Sequence, residues 1–356
     1  MKPPEQPDGI GDWASGIYHG DCTEILQRLP ADSVHTVITS PPYWQARDYE
    51  VNGQLGREET VGEYISNLLT VIEEIHRILR GDGSLWLVLG DTYVPGGQQT
   101  ADADSPGILS DVTLTEYEAR RKQKLFLPER IAIAMQRRGW RVRNEITWVK
   151  PDATPESVKD RLAERTESIL HVVPQRYYFY DLDSVREPYS EYTRQNLERQ
   201  ESDTDRGVDD PHQGIGTAEN TRRDVLHPGG KNPGDVIEVP TAKSSNHPAS
   251  FPTEIVRTPL QTTCPPNVCA NCGNPYTRQT SEQSSTGADD GARWAQDCEC
   301  DTDEREPGIV LDPFCGSGTT CQVATEHNRR FIGFELNPEY VEIAETRCGL
   351  RSKESR

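Results

Sequence analysis

Hydrophobic and polar positions along this chain alternate between two periods. The segment from Gly16 to Thr39 reads as strand, turn, helix, strand: IYHGD, then TEILQRL, then the β-branched run SVHTVIT, stopped by Pro41-Pro42. A helical repeat follows, with apolar positions at Tyr64, Leu68, Leu69, Ile72, Ile75 and Leu79; Gly81-Asp82-Gly83 closes it before the apolar strand SLWLVLG. Helix and strand alternate again through LPERIAIAMQRRGW and RVRNEITWVK. Near the C-terminus GIVL, a Gly-rich loop, CQVATEH, RRFIGFE and NPEYVEIAETRC restore the same rhythm. This pattern predicts an α/β fold with a mostly parallel sheet covered by helices. There is no internal repeat.

Two stretches break the rhythm. From Glu187 to Gly234 the chain turns to Glu, Asp, Arg, Gln, Gly and Asn with few apolar residues, which predicts a loop-rich or partly disordered insertion. Between Cys264 and Cys300 lie five of the nine cysteines. The spacing Cys269-x2-Cys272 with Cys298-x-Cys300 offers two close pairs of thiolates, suited to one tetrahedral zinc ion in a structural, closed site. Cys264 is then the spare, and a loop of reduced cysteines is the competing reading.

Composition narrows the setting. The 356 residues suffice for one large α/β domain with inserted segments, without stapling. No apolar run has transmembrane length and the N-terminus MKPPEQPDGIGDW carries no signal pattern, so a cytoplasmic protein with no membrane partner is expected. The net charge is -20, with 30 Arg against 8 Lys. Such an acidic, Arg-rich balance resembles proteins of salt-loving archaea. It opposes binding to phosphates at low salt, but at ~1 M salt the Debye length is only ~3 Å and the repulsion is screened. One basic concentration stands out between Arg120 and Lys150, including Arg137, Arg138, Arg141 and Arg143; it reads equally as a phosphate-facing patch or a solvated helix face.

Two motifs carry chemistry. The loop Asp312-Pro313-Phe314-Cys315-Gly316-Ser317-Gly318-Thr319-Thr320 sits where a strand hands over to a helix, so its glycines permit close backbone approach to a ligand and the helix start offers unpaired N–H groups. Glu335 ends the next strand, where an acidic side chain reads ribose hydroxyls in dinucleotide folds. Alone, a Gly-rich turn is as often an ordinary turn. The second motif, Thr39-Ser40-Pro41-Pro42-Tyr43-Trp44, follows a β-branched strand. Its prolines hold the chain extended with carbonyls free to accept hydrogen bonds. A Ser hydroxyl and a Pro carbonyl can then orient an exocyclic amine, while Tyr43 and Trp44 stack on an extruded base. In isolation such a run is a strand terminator with an aromatic packed on it.

Together these residues are similar to the DNA amino-methyltransferases in their permuted (beta-type) order, with the catalytic motif first and the cofactor motif last. The likeness runs from Tyr18 to about Glu345, apart from the two interruptions, and includes LWLVLGDTY, ITWVKPDATPESVKDRLAERTESIL and IEVPTAKSSNHPASFP. The resemblance implies a Rossmann-like methyltransferase sheet with S-adenosyl-L-methionine held by Asp312, Pro313, Phe314, Gly316, Gly318, Thr319 and Glu335. Asp21 would lie near the adenine, and Asn246, His247 and Phe251 would close over the methionine end. Ser40, Pro41, Pro42 and Tyr43 would be catalytic. Ser40 before Pro-Pro-Tyr resembles the cytosine-N4 branch, against adenine N6 for members with Asp or Asn there, and the likeness extends to haloarchaeal enzymes that modify CTAG. No Pro-Cys dipeptide is present, unlike the C5-cytosine enzymes, and Cys315 reads as a packing residue.

The resemblance divides the chain into a flexible N-terminus (1–15), a catalytic half (16–186), a target-recognition insertion (187–234), a cofactor-closing segment (235–260), a zinc-ribbon-like module (261–306), a cofactor-binding half (307–347) and a tail (348–356). Arg194, Arg222 and Arg223 in the insertion are candidate base readers. The implied partners are double-stranded DNA and either a cognate restriction endonuclease, in a restriction-modification system, or none, for an orphan methylase, with the enzyme a monomer or homodimer. Methylation of RNA or protein, and a DNA-binding module with a vestigial enzyme fold, are the rival classes.

Overall fold

The computed structural model describes residues 13, 15–94, 122–195, 227, 229–242, 251–279 and 293–351. They form two units: a larger one drawn from residues 1–180, 235–276 and 296–356, and a smaller one drawn from 181–234 and 277–295.

The larger unit is built on strands β1 (Gly16–His19), β2 (Val34–Thr39), β3 (Leu79–Leu89), β4 (Arg141–Val149), β5 (Thr166–Val173), β6 (Val236–Glu238), β11 (Ile309–Asp312) and β12 (Arg330–Glu335). They join in the order β1-β12-β11-β2-β3-β5-β4-β6. The sequence pattern predicts a mostly parallel sheet and does not mark β5, which runs antiparallel to both β3 and β4; the other neighbours are parallel and the sheet is mixed. The sixteen residues between β4 and β5 form no helix or strand to carry a crossover, and the chain turns back to pair antiparallel beside β4.

Both faces of the sheet are covered, which is why β2 and β3 read as nearly continuous apolar runs. Along β3, Leu85, Leu87 and Leu89 enter one core, and Trp86 and Val88, pointing the other way, enter the second. The first core is closed by helices α1 (Cys22–Leu26), α2 (Val61–Ile78) and α3 (Leu127–Arg137). The second is closed by α4 (Glu254–Thr263), α5 (Thr319–Glu326) and α6 (Pro338–Arg347). Helix α2 starts at a capping box in which Thr60 and Glu63 satisfy each other's backbone N–H groups. Trp13, assigned from the sequence to a flexible N-terminus, is instead buried, edge-on to Tyr18 at 5.1 Å and to Phe334 at 6.2 Å.

The module expected over 261–306 is divided. All four candidate zinc ligands lie in the larger unit, beside the two-stranded pairing of β7 (Val268–Cys269) with β10 (Arg305–Glu306). The chain between them forms the ribbon β8 (Thr277–Gln279) and β9 (Arg293–Ala295) and belongs to the smaller unit. There Arg278 clasps Asp181 with two hydrogen bonds, of 3.0 and 2.8 Å, and stacks over Trp294 at 4.8 Å. A buried carboxylate paired in this two-pronged way is strongly directional, so it joins two stretches the sequence keeps apart. Among the described residues no helix is long and apolar enough to cross a membrane.

Candidate active site

Strands β2 and β11 are parallel neighbours, but the chain continues from them in opposite directions across the sheet, to β3 on one side and β12 on the other. Loops leaving the carboxyl ends of such a pair diverge and open a crevice. The two loops are those singled out in the sequence. Ser40–Tyr43 leaves β2, Pro313–Thr319 leaves β11, and both line a cleft of about 1050 Å³. The strand ends are bolted together: the buried Thr39 hydroxyl donates to Asp312 Oδ1 at 2.6 Å, and the Phe314 N–H donates to the same oxygen at 3.1 Å. Burial pushes the Asp312 carboxyl up to about 6, and its Oδ2 is enclosed without a hydrogen-bond partner.

The cofactor loop has the backbone its glycines suggest. Gly316 and Gly318 have φ of 51° and 81°, and Gly318 caps α5 without a side chain in the way. Glu335, at the end of β12, accepts from Gly316 N–H at 2.8 Å and Asn337 N–H at 2.8 Å; burial raises its pKa. Asp21 caps the short α1 by accepting from Thr23 and Glu24, and also lines the cleft. Pro313, Phe314, Gly316, Thr319 and Phe251 lie along the same wall. Arg347 from α6 donates to the hydroxyls of Ser317 and Thr319 at 3.1 and 3.0 Å, bracing the loop from behind. Asn246 and His247 lie outside the described residues.

At the other wall the Tyr43 hydroxyl donates to Glu167 Oε2 at 2.7 Å, and Glu167 Oε1 is paired with Lys150 Nζ at 2.7 Å. The Ser40 hydroxyl lies 3.4 Å from the Tyr43 oxygen. Burial, with the Glu167 charge added, holds the Tyr43 phenol well above its ordinary pKa. Tyr64 donates to the Pro42 carbonyl at 3.0 Å, leaving the buried Pro41 as the motif's other proline on the cleft. Trp44 does not join Tyr43 as a stacking surface: its indole N–H donates to the Glu58 carbonyl at 3.1 Å and its ring packs against the first core, away from the cleft lining. Sequence reasoning gave no site role to Glu167, Lys150, Trp148, Arg47 and Arg57, which line the cleft, or to Gly90, against which the Tyr43 ring packs. Glu167, Lys150, Trp148 and Gly90 stand in family-like stretches, but those stretches single out no residue, and β4 pairing with β5 is what brings Glu167 opposite Trp148.

Among the described residues of the basic run only Lys150 lines the cleft. Arg141 and Arg143 open β4, whereas Trp148 and Lys150 at its far end line the cavity, roughly 16–30 Å away along a strand rising ~3.3 Å per residue. Arg141 donates to the Pro174 carbonyl, Arg143 to the Tyr178 hydroxyl and Arg138 to Glu73; Arg137, at the end of α3, is exposed. Arg194 is exposed and paired with Glu191 at 2.7 Å, and Arg222 and Arg223 lie outside the described residues.

The four thiols of Cys269, Cys272, Cys298 and Cys300 lie within 4.8 Å of one another. Cys264 is buried away from this group. The turn around the first pair is tied to the sheet. Arg80 in β3 donates to the Cys272 carbonyl at 3.1 Å and Asn274 Oδ1 at 2.9 Å. His35 in β2, held neutral by burial at a pKa of about 4, donates from Nε2 to the Gly273 carbonyl and accepts at Nδ1 from the Ile309 N–H of β11.

This sheet with a Gly-rich crevice at its carboxyl edge is the fold of the S-adenosylmethionine-dependent methyltransferases. The PvuII DNA methyltransferase (cytosine-N4-specific) superposes with a TM-score of 0.57 at 18% identity, over 96% of this chain and 89% of that one. TTHA0409, a putative DNA modification methylase from Thermus thermophilus complexed with S-adenosyl-L-methionine, does so at 0.51 and 21% identity, over 94% and 93%. In sequence, the type II methyltransferase M.XycI of Xanthomonas campestris pv. cyanopsidis is 33% identical over 337 residues, 94% of this chain and 87% of its own length. The chain belongs to the DNA methylase family of N6 and N4 methyltransferases, whose sequence model matches residues 34–346. It is an S-adenosylmethionine-dependent DNA methyltransferase.

Proposed function

We propose that the chain is a site-specific enzyme that methylates N4 of cytosine in duplex DNA. The observation that carries this reading is the junction of two loops, Ser40–Tyr43 and Pro313–Thr319, on one cleft, joined behind it by the Thr39–Asp312 hydrogen bond. The cofactor's ribose hydroxyls and amino group are hydrogen-bond donors, and the carboxylates of buried Asp312 and half-buried Glu335 are acceptors of matching chemistry. With Asp21, Gly316, Gly318, Thr319 and Phe251, and with Asn246 and His247 from the closing segment, they would hold it. When bound, S-adenosylmethionine supplies an electrophilic methyl group. The chain's part is positioning: the base leaves the stack at a cost of a few kcal/mol, Tyr43 stacks against it, and Ser40 and the Pro41 carbonyl accept hydrogen bonds from its amine. Ser40 supports cytosine N4, with adenine N6 as the alternative; CTAG is the first target to test, and association with a restriction endonuclease is part of the same reading.

The test is mass identification of methylated nucleosides in DNA from a host expressing the chain, beside the same host without it, together with labelled-methyl transfer to duplex DNA, RNA and protein in ~2 M KCl. N4-methylcytosine confined to one short motif is expected. N6-methyladenine alone would overturn the choice of base, and transfer to RNA or protein but not DNA would overturn the substrate.

We further propose that the four clustered cysteines hold one structural zinc ion. Four protein ligands leave no open position on the metal, and the hydrogen bonds of Arg80 and His35 link this turn to β2, β3 and β11. Elemental analysis of the purified enzyme is expected to find one zinc per chain, and Cys272→Ser should lower both zinc content and Tm. A metal-free protein with unchanged Tm on added zinc would refute the site.

A further inference from the structure

The reaction leaves one proton to dispose of. When the exocyclic nitrogen uses its lone pair to bond the methyl carbon, the leaving group keeps the electron pair of the broken C–S bond, and the nitrogen must then shed an N–H proton. The Ser40 side of the cleft is where that nitrogen would sit, and the groups behind it are enclosed. Tyr43 is pinned with its ring against Gly90, whose position has no room for a Cβ, and its backbone lies under Gly56. Its hydroxyl therefore has fixed neighbours, Ser40 on one side and Glu167 on the other.

We propose that Ser40, Tyr43 and Glu167 form a proton path that carries the amine proton out of the site, with Glu167 as its terminus. This rests on the reading of Ser40 as the residue that receives the amine. The hydrogen bonds already run in the direction the transfer needs. Ser40 donates toward the Tyr43 oxygen at 3.4 Å, and Tyr43 donates to Glu167 Oε2 at 2.7 Å. The amine proton passes to Ser40 Oγ, the Ser40 proton to the Tyr43 oxygen, and the Tyr43 proton to Glu167. One N–H bond is lost and one O–H bond is gained on Glu167, while Ser40 and Tyr43 are regenerated.

Lys150 keeps the acceptor in place. It holds the other Glu167 oxygen at 2.7 Å, and both side chains are mostly buried, at 18% and 15% exposure. The β4–β5 pairing, with Trp148 opposite Glu167, sets this contact from the backbone. Glu167 thus acts through Tyr43 and is a relay residue, with Lys150 positioning it. A charged pair this well enclosed holds one geometry, and because Glu167 lines the cleft its proton can pass to solvent there after turnover.

The experiment is single-turnover transfer to duplex DNA with cofactor and DNA saturating, for the wild type, Glu167→Gln, Tyr43→Phe and the double variant, in H2O and D2O. Both substitutions are close to isosteric, and Tm and cofactor Kd are measured alongside. Each single variant is expected to slow transfer by about 10- to 100-fold, with cofactor Kd within about twofold of wild type. The double variant should be no slower than the slower single, because two breaks in one path count once. The solvent isotope effect of the wild type should disappear in all three variants. Transfer within about twofold of wild type in either single variant, or losses that multiply in the double, would overturn the path. The wild type's product is identified in the same reactions: methyl on a ring carbon would overturn the reading of Ser40 itself, whereas an amine product with unimpaired variants removes the relay alone.

Discussion

Replacing Gly90 by alanine is expected to reduce methyl transfer by at least 100-fold while cofactor binding stays within a few-fold of wild type. A Cβ at this position would stand 2.5 Å from Tyr43 Cε2 and 2.7 Å from Cδ2, closer than a carbon atom can approach a ring. The ring has little freedom to yield. Its hydroxyl is tied to Glu167, the neighbouring Pro42 carbonyl to Tyr64, and the Tyr43 carbonyl would itself meet a Cβ at Gly56 at 2.9 Å. The aromatic surface therefore has to leave its place, and misplacing a positioning group by about 1 Å costs on the order of 100-fold in rate. Steady-state transfer and calorimetric cofactor titration check this. Wild-type turnover by Gly90→Ala would mean that the Tyr43 ring has no role in presenting the base.

The second large effect is expected at Gly318, where an alanine should lower stability by about 2–4 kcal/mol and weaken cofactor binding by more than about tenfold. Two costs combine. The residue sits at φ 81°, a conformation in which a side chain is strained, and its Cβ would lie 2.9 Å from Ala344 Cβ and 3.1 Å from Ala344 Cα on α6. Moving the loop to relieve that contact shifts the start of α5 and the backbone beside Glu335, so fold and cofactor site suffer together. Gly349→Ala is the control: its φ is 73° but a Cβ there meets nothing within 4 Å, so only the strain of about 1–2 kcal/mol remains. Thermal unfolding with cofactor titration separates the two variants, and equal losses in both would show that the contact with Ala344 is without effect.

The candidate site was legible where its residues are neighbours in the chain. Ser40-Pro41-Pro42-Tyr43 and Asp312 to Thr319 each carry their turn chemistry within one short loop, and Glu335 is marked by ending an apolar strand. What those loops touch was not legible. Trp44 looks equivalent to Tyr43 in sequence, but only Tyr43 faces the cleft, because the Trp44 indole finds the Glu58 carbonyl. The excess of charge from Arg120 to Lys150 hides a division that strand direction imposes: Lys150 belongs to the cleft and Arg141 to the opposite end of the same strand.

Local patterning by itself determined every helix named above except α4, six of the eight strands of the main sheet, the two functional loops and the family, since each depends on residues within a turn or a strand of one another. The tertiary structure decided three further things. It reversed β5, placing Glu167 and Lys150 behind Tyr43; it gathered two separated cysteine pairs into one cluster anchored by Arg80 and His35; and it joined residues 181–234 with 277–295 through Asp181 and Arg278. These are pairings between residues far apart in the chain. Periodicity records only which face of an element is apolar, and it holds no information on which distant polar group will satisfy a buried hydroxyl, carboxylate or carbonyl.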